Sequence, residues 1–275
     1  MHSTQPVSVD VLISPFDASA AQVVALAREA EAIGFGGVWT YDHMTGAIFD
    51  RKNSQDVFTM LGAIAASTER VEIGPLVVNM VNRHPVRLAL AMSTLQELTG
   101  GRAILGLGGG ASPTSRFSTE QRALGVTLHD APTRAAMLIE TLEVLRTLWG
   151  STDAFSGQFF EVGMDFSLQT ATPPRVIIGA SGPSTAGIAL DHADGMNVAS
   201  PAAFSPLEDL IRDQRPAGFE VSVHVPIDID APLESQLPQP SSEVDRWILA
   251  VPAQASLDAL TQIHSGMRAL HNRST

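Results

Sequence analysis

The chain has 275 residues, 44% of them hydrophobic, with 29 acidic against 17 basic side chains and a formal net charge of −12. That length and apolar content suit a single domain over residues 1–275, and the acidic balance argues against phosphate backbones and anionic lipid, so neither nucleic acid nor a membrane is an expected partner. The absence of cysteine excludes disulfides, thiolate nucleophiles, Cys-ligated zinc and iron–sulfur clusters, and suits a reducing, cytoplasmic setting.

Residues 1–9 have neither a basic nor an apolar export region, and no run approaches 18 apolar residues, so no export signal or membrane span is expected. Residues 7–13 form an apolar strand, after which Ser19 and Gln22 make a capping-box signature for a helix that ends at Gly34. A strand at 37–41 follows. Asp56 is placed to cap a helix running through Ser67, 71–78 is a β-branched strand, and Pro85 opens a helix closed by Gly100-Gly101, with His84 or Asn82 as its N-cap. Residues 103–107 are the fourth strand.

Beyond a long polar loop, Asp130 and Pro132 start a helix carrying Leu138, Leu142, Leu145 and Leu148 on one side and ending at Gly150. An excursion at 158–162 precedes strand 176–179, helix 183–192, strand 195–199 and helix 206–214. Residues 219–229 predict a seventh strand, but 231–242, rich in Pro, Ser and Gln, lacks helical period, so unit seven is expected to be degraded. A last strand at 247–251 and helix at 257–270 can close the set. Strand and helix alternating this often predict a parallel sheet with crossover helices.

Three constellations stand at predicted strand ends, where α/β folds do their chemistry. Asp42-His43 follows strand two, and His43 suits acid/base work because an unperturbed imidazole has its pKa near neutrality; a loop histidine is the equal alternative. Gly108-Gly109-Gly110 ends strand four, where glycines let backbone approach a flat ring. With Gly106 and Ala111 it also matches a degenerate dinucleotide fingerprint, though that pattern requires a helix at once and Ser112-Pro113 follows. Gly179-Ala180-Ser181-Gly182-Pro183 joins a strand to a helix start, which is either a phosphate site or an ordinary capped turn. No metal site is expected, and the scattered methionines read as core filler.

Taken together, Ala27 to Phe35, Val38-Trp39 with Asp42-His43, Arg83-His84-Pro85 with Thr94 to Arg102, Leu105 to Gly110, and Gly179 to Pro183 with His192 to Gly195 resemble the luciferase-like superfamily of flavin- and F420-dependent oxidoreductases. The resemblance implies a (β/α)8 TIM barrel with an insertion after strand four and a homodimeric assembly. By resemblance, Asp42 and His43 are the catalytic pair, with Asp42 also touching the cofactor ring. Leu76, Val77, Val78 and Asn79 match a segment that often holds a non-prolyl cis peptide beneath the ring. Gly108, Gly109 and Gly110 match further cofactor contacts, and Gly179, Ala180, Ser181, Gly182 and Pro183 match the phosphate turn. Members that oxidise sugar phosphates carry glutamate where this chain has Ala111, so that activity is not expected. The similarity weakens after Ala199.

The function implied is hydride transfer between coenzyme F420 and a small organic substrate, with His43 as acid or base. An FMN-dependent monooxygenase, a non-catalytic flavin-binding relative and, last, an NAD-type Rossmann dehydrogenase are the alternatives. The tail of the cofactor separates F420 from FMN. A terminal phosphate dianion calls for an Arg or Lys clamp, and the only cation near the 179–184 turn, Arg175, precedes its strand and belongs at the opposite rim. Arg83, Arg102 and Arg116 are the residues that could supply a clamp from elsewhere.

Overall fold

A computed structural model describes residues 7–150, 154–163, 168, 172–239 and 241–272. In chain order the elements are β1 (Ser8–Ser14), α1 (Ala20–Ile33), β2 (Gly37–Thr40), α2 (Val57–Ala65), β3 (Glu72–Pro75), β4 (Val78–Asn79), α3 (Pro85–Thr99), β5 (Ile104–Gly108), α4 (Ser118–Ala123) and α5 (Ala131–Gly150). The hairpin β6 (Phe155–Ser156) and β7 (Glu161–Val162) comes next, then β8 (Arg175–Ala180), α6 (Pro183–His192), β9 (Gly195–Val198), α7 (Pro201–Phe204), α8 (Glu208–Gln214), β10 (Glu220–Pro226), β11 (Arg246–Pro252) and α9 (Leu257–Asn272).

The main sheet has the order β3-β2-β1-β11-β10-β9-β8-β5-β4, with every pairing parallel. A parallel bridge between Ile73 and Ala103 joins its two ends, so the sheet closes on itself. β3 and β4 are two halves of one staved position, interrupted at the cis peptide Leu76–Val77, and the count is therefore that of an eight-stranded barrel. Closure rules out the open doubly wound sheet that a Rossmann dehydrogenase needs.

Alternation along the strands sorts side chains into two layers. Val9, Val11 and Ile13 of β1, Leu105 and Leu107 of β5, and Val176 and Ile178 of β8 pack outward under the helices. Leu12, Trp39, Leu76, Ile104, Ile177 and Ile248 pack inward as a separate cluster, with Tyr41 and Val77 lying on it. Below that plug, toward the N-terminal strand ends, the interior turns ionic. Arg246 pairs with Asp10, with Glu72 at 2.5 Å and with Glu220 at 2.9 Å, while Arg175 reaches Glu72 at 2.5 Å and Glu220 at 2.9 Å.

Local signals in the sequence account for most boundaries. Ser19 and Gln22 form the reciprocal capping box, and Gly34 ends α1 in the left-handed conformation (φ 108°) that a glycine adopts without penalty. Asp56 caps α2, and His84 caps α3 by accepting the Val86 amide. Three expectations needed adjustment. The strand read across 71–78 is split, the helix read at 206–214 is α8 entered through a 3-10 turn at Ser205–Leu207 and preceded by the short helix α7, and the long loop after strand four contains the short helix α4. Unit seven is degraded as expected: between β10 and β11 the described residues form a 3-10 turn at Leu233–Ser235.

Candidate active site at the C-terminal mouth

The predicted residues converge at one rim. The Asn79 amide lies 3.4 Å from Asp42 Oδ2, Asn79 is in register with Gly108, and a methyl group built on either Gly108 or Gly179 would meet the Val77 side chain at 2.8 and 3.2 Å respectively. Those glycines thus serve a packing purpose that sequence reasoning did not foresee. Gly106, Gly108 and Gly179 leave the hollow into which Val77 projects, and Val77 forms the floor of the mouth. Leu76 packs in the inner cluster, whereas Val78 and Ala180 turn their side chains to the outer layer and offer the mouth backbone alone. Gly110 takes a positive φ of 80° beside Val81 and Asn79. At the turn over 179–183, the Ser181 amide donates to Thr185 Oγ1 at 2.9 Å, and Gly182, extended, precedes Pro183 with open space where a Cβ would stand.

Asp42 and His43, adjacent in sequence, sit in different electrostatic settings. Asp42 is bound bidentately by Arg83, one bond at 2.8 Å, and Arg83 also approaches Asp56 at 3.6 Å. Both carboxylate oxygens of Asp42 are therefore committed to Arg83. His43 instead places Nδ1 3.1 Å from Oε2 of Glu120, while Oε1 of the same carboxylate accepts the amides of Met44 (2.8 Å) and Thr45 (3.1 Å). Burial pushes the Glu120 carboxyl upward, but the His43 hydrogen bond and charge together with these amides outweigh it and hold the group below the usual range. Nε2 of His43 has no hydrogen-bond partner among the described residues.

Several members of the site were invisible in the sequence. Tyr41 Oη lies 2.8 Å from His224 Nε2, and His224 Nδ1 lies 3.2 Å from the Ala199 carbonyl. Because a carbonyl only accepts, Nδ1 carries the proton and Tyr41 donates to a neutral imidazole. Burial lowers the His224 pKa, against a smaller opposing push from the Ala199 hydrogen bond, and burial raises that of Tyr41. Phe16, Phe49 and Phe117 surround this polar pair and His43. Phe49 stands edge-on to the His43 ring at 5.2 Å, Phe117 stacks on it at 6.0 Å, and the Arg116 guanidinium rests on both phenylalanines at 5.3 and 5.1 Å. Next to Glu120, Gln121 is fully buried; its Oε1 accepts the Ala111 amide (2.8 Å) and Asn79 Nδ2 (3.4 Å), and its Nε2 has no partner among the described residues. Glu120 and Gln121 had no signal beyond lying in a polar loop, since only folding brings α4 across the mouth.

Of the candidate cation clamps, Arg175 is at the opposite rim as expected, and Arg102 is spent on the carbonyls of Thr68, Val71 and Thr99. Arg83 is held by Asp42. Arg116 has no carboxylate partner among the described residues.

A sequence model of the luciferase-like monooxygenase family matches residues 2–231. The chain belongs to that family. It is 31% identical over 190 residues to the F420-dependent hydroxymycolic acid dehydrogenase of Mycobacterium tuberculosis, covering 68% of this chain and 51% of the relative. Over 195 residues it is 30% identical to the 5,10-methylenetetrahydromethanopterin reductase of Archaeoglobus fulgidus, covering 70% and 49%. The chain spans about half the length of the curated relatives it matches. Among solved structures, an F420-dependent secondary alcohol dehydrogenase bound to an F420-acetone adduct superposes with a TM-score of 0.79 at 17% identity, over 97% of this chain and 99% of that one. The long-chain alkane monooxygenase LadA gives 0.75 at 13% identity over 99% and 92%. These two establish the fold of this luciferase-like barrel.

Proposed function

We propose that this luciferase-like chain is an oxidoreductase that moves a hydride between coenzyme F420 and a small organic substrate, with His43 as the acid/base group. The carrying observation is the state of His43: one ring nitrogen is held by a buried carboxylate and the other is unpartnered at the rim of the barrel. When bound, F420 supplies the hydride-exchanging ring carbon. The residues present fit such a group. The orphaned Nε2 of Gln121 is a buried donor lacking an acceptor beside Asn79 and Ala111, a condition that costs about 1–3 kcal/mol until a partner arrives. Asn79, the Val77 floor and the backbone of Gly108, Gly109 and Gly110 would support the ring. Ser181, Gly182 and the start of α6 would take the phosphodiester, where helix amides and dipole favour an anion.

An FMN-dependent monooxygenase is the second reading, and Arg116 favours it as a rim cation with no carboxylate partner among the described residues. The working unit is a homodimer of single-domain barrels in the cytoplasm. The dimer reading draws on the family resemblance and on Leu90 and Leu98 of α3, which are 45% and 57% exposed. Titrating the purified protein with F420 and with FMN, followed by ring fluorescence, tests the cofactor. Tight F420 binding is expected, and tight FMN binding without F420 binding would overturn the proposal. His43→Ala should then reduce turnover about 10²–10⁴-fold with cofactor affinity nearly intact; unchanged turnover would remove His43 from the chemistry.

A further inference from the structure

We infer that Glu120 is the positioning residue of His43: by accepting the Nδ1 proton it fixes the imidazole tautomer and makes Nε2 the proton-exchanging atom of the site. This rests on the oxidoreductase reading for its kinetic consequence, though the tautomer itself is a property of the chain alone. The Glu120 side chain is 4% exposed, and both its oxygens are engaged, one by His43 and one by the Met44 and Thr45 amides. An ionised carboxylate only accepts hydrogen bonds, so Nδ1 must be the donor, and a neutral imidazole with its proton on Nδ1 has a bare lone pair on Nε2. Phe49 at the edge and Phe117 on the face hold the ring in that orientation.

The other ionisable groups around His43 do not compete for this role. Tyr41, with its ring 6.1 Å away, gives its hydroxyl to His224; Asp42 is taken by Arg83; Arg116 lies on the two phenylalanines. The neighbouring residue supplies an internal control. Gln121 straps the same short helix to Asn79 and Ala111 with a neutral amide, so crossing the mouth does not in itself require a carboxylate. The charge stands only where the imidazole is. In alcohol oxidation the substrate hydroxyl proton would pass to Nε2 as the carbon-bound hydride passes to F420. A carbonyl product would remain, together with an imidazolium stabilised by Glu120; the reverse reaction returns both.

Glu120→Gln separates positioning from fastening. Its Oε1 can still accept the Met44 and Thr45 amides, but its NH2 must donate to Nδ1, which drives the imidazole proton to Nε2. Long-range ¹⁵N–¹H spectra of histidine-labelled protein without cofactor, assigned with His43→Asn, should show His43 protonated on Nδ1 in the wild type and on Nε2 in Glu120→Gln. With F420 and substrate, Glu120→Gln should lose about 10²–10⁴-fold in kcat with KM and F420 affinity little changed, and Glu120→Asp, which keeps the charge, should recover part of it. A wild-type His43 carrying its neutral proton on Nε2 overturns the inference without recourse to any variant, as does a folded Glu120→Gln protein with unchanged kcat. If no hydride transfer is found at all, the oxidoreductase reading fails, while the spectra still decide the tautomer.

Discussion

The two ends of the barrel interior hold comparable numbers of ionisable groups and use them in opposite ways. At the N-terminal end every charge is paired. Arg246 serves Asp10, Glu72 and Glu220, Arg175 serves Glu72 and Glu220, and Trp39 Nε1 and Ser8 Oγ complete Asp10 at 2.7 and 2.6 Å. Burial works against the Arg246 charge, yet Asp10, Glu220 and Glu72 together hold it more firmly cationic than usual. At the C-terminal end, valences are left open. His43 Nε2 and Gln121 Nε2 lack hydrogen-bond partners among the described residues, and the Arg116 guanidinium, lying on Phe49 and Phe117, lacks a carboxylate partner among them. Satisfied polar networks rigidify a fold, so the same closed sheet is clamped at one end and keeps unsatisfied polar groups at the other.

Three perturbations sharpen that contrast. Arg246→Leu should be the most damaging, because it strands Asp10, which is fully buried, and Glu220 beside it. Removing one member of a buried ion network costs about 3–5 kcal/mol, which urea denaturation would detect. A loss under 1 kcal/mol would mean that the lower cluster is not the clamp described. Gly108→Ala comes next. Its methyl group would stand 2.8 Å from Val77 Cγ2, an overpacking worth about 1–3 kcal/mol, and Val77→Ala in the same chain should restore most of it. A double-mutant cycle without coupling would refute the hollow-and-floor account of the mouth.

The smallest effect is one of pH. Burial lowers the His224 pKa and, with Arg268 nearby, that of His264, so both are neutral in the folded chain where the unfolded chain already binds protons. Stability should therefore fall as pH drops below the ordinary imidazole value of about 6.5 and on through the lowered folded values, and be flat above it. His224→Gln should shallow that slope. An unchanged slope would place the titration elsewhere.

Local chemistry was legible wherever a residue acts through its neighbours in sequence. Ser19 with Gln22, Asp56, His84 before Pro85, and Gly34 each produced the predicted cap, because capping is decided within four residues. The degraded seventh unit was legible in the loss of helical period after Ala231. Strand ends marked by Asp42-His43, Gly108 and Gly179 were correctly gathered at one rim, since parallel strands deliver their C-termini to the same face.

What the sequence by itself determined was thus the alternation of strand and helix, the barrel class, and the gathering of those strand ends at one rim. Only the tertiary structure decided how that end is wired. Glu120 is 77 residues from His43 and His224 is 183 residues from Tyr41, separations at which no periodicity or spacing constrains contact. Asp42 and His43, neighbours with matching credentials, were assigned to Arg83 and Glu120 respectively by the loops folded over them. The physical reason is that hydrogen-bond partnership depends on a few ångströms of approach, and closure of the sheet, not order along the chain, sets those distances.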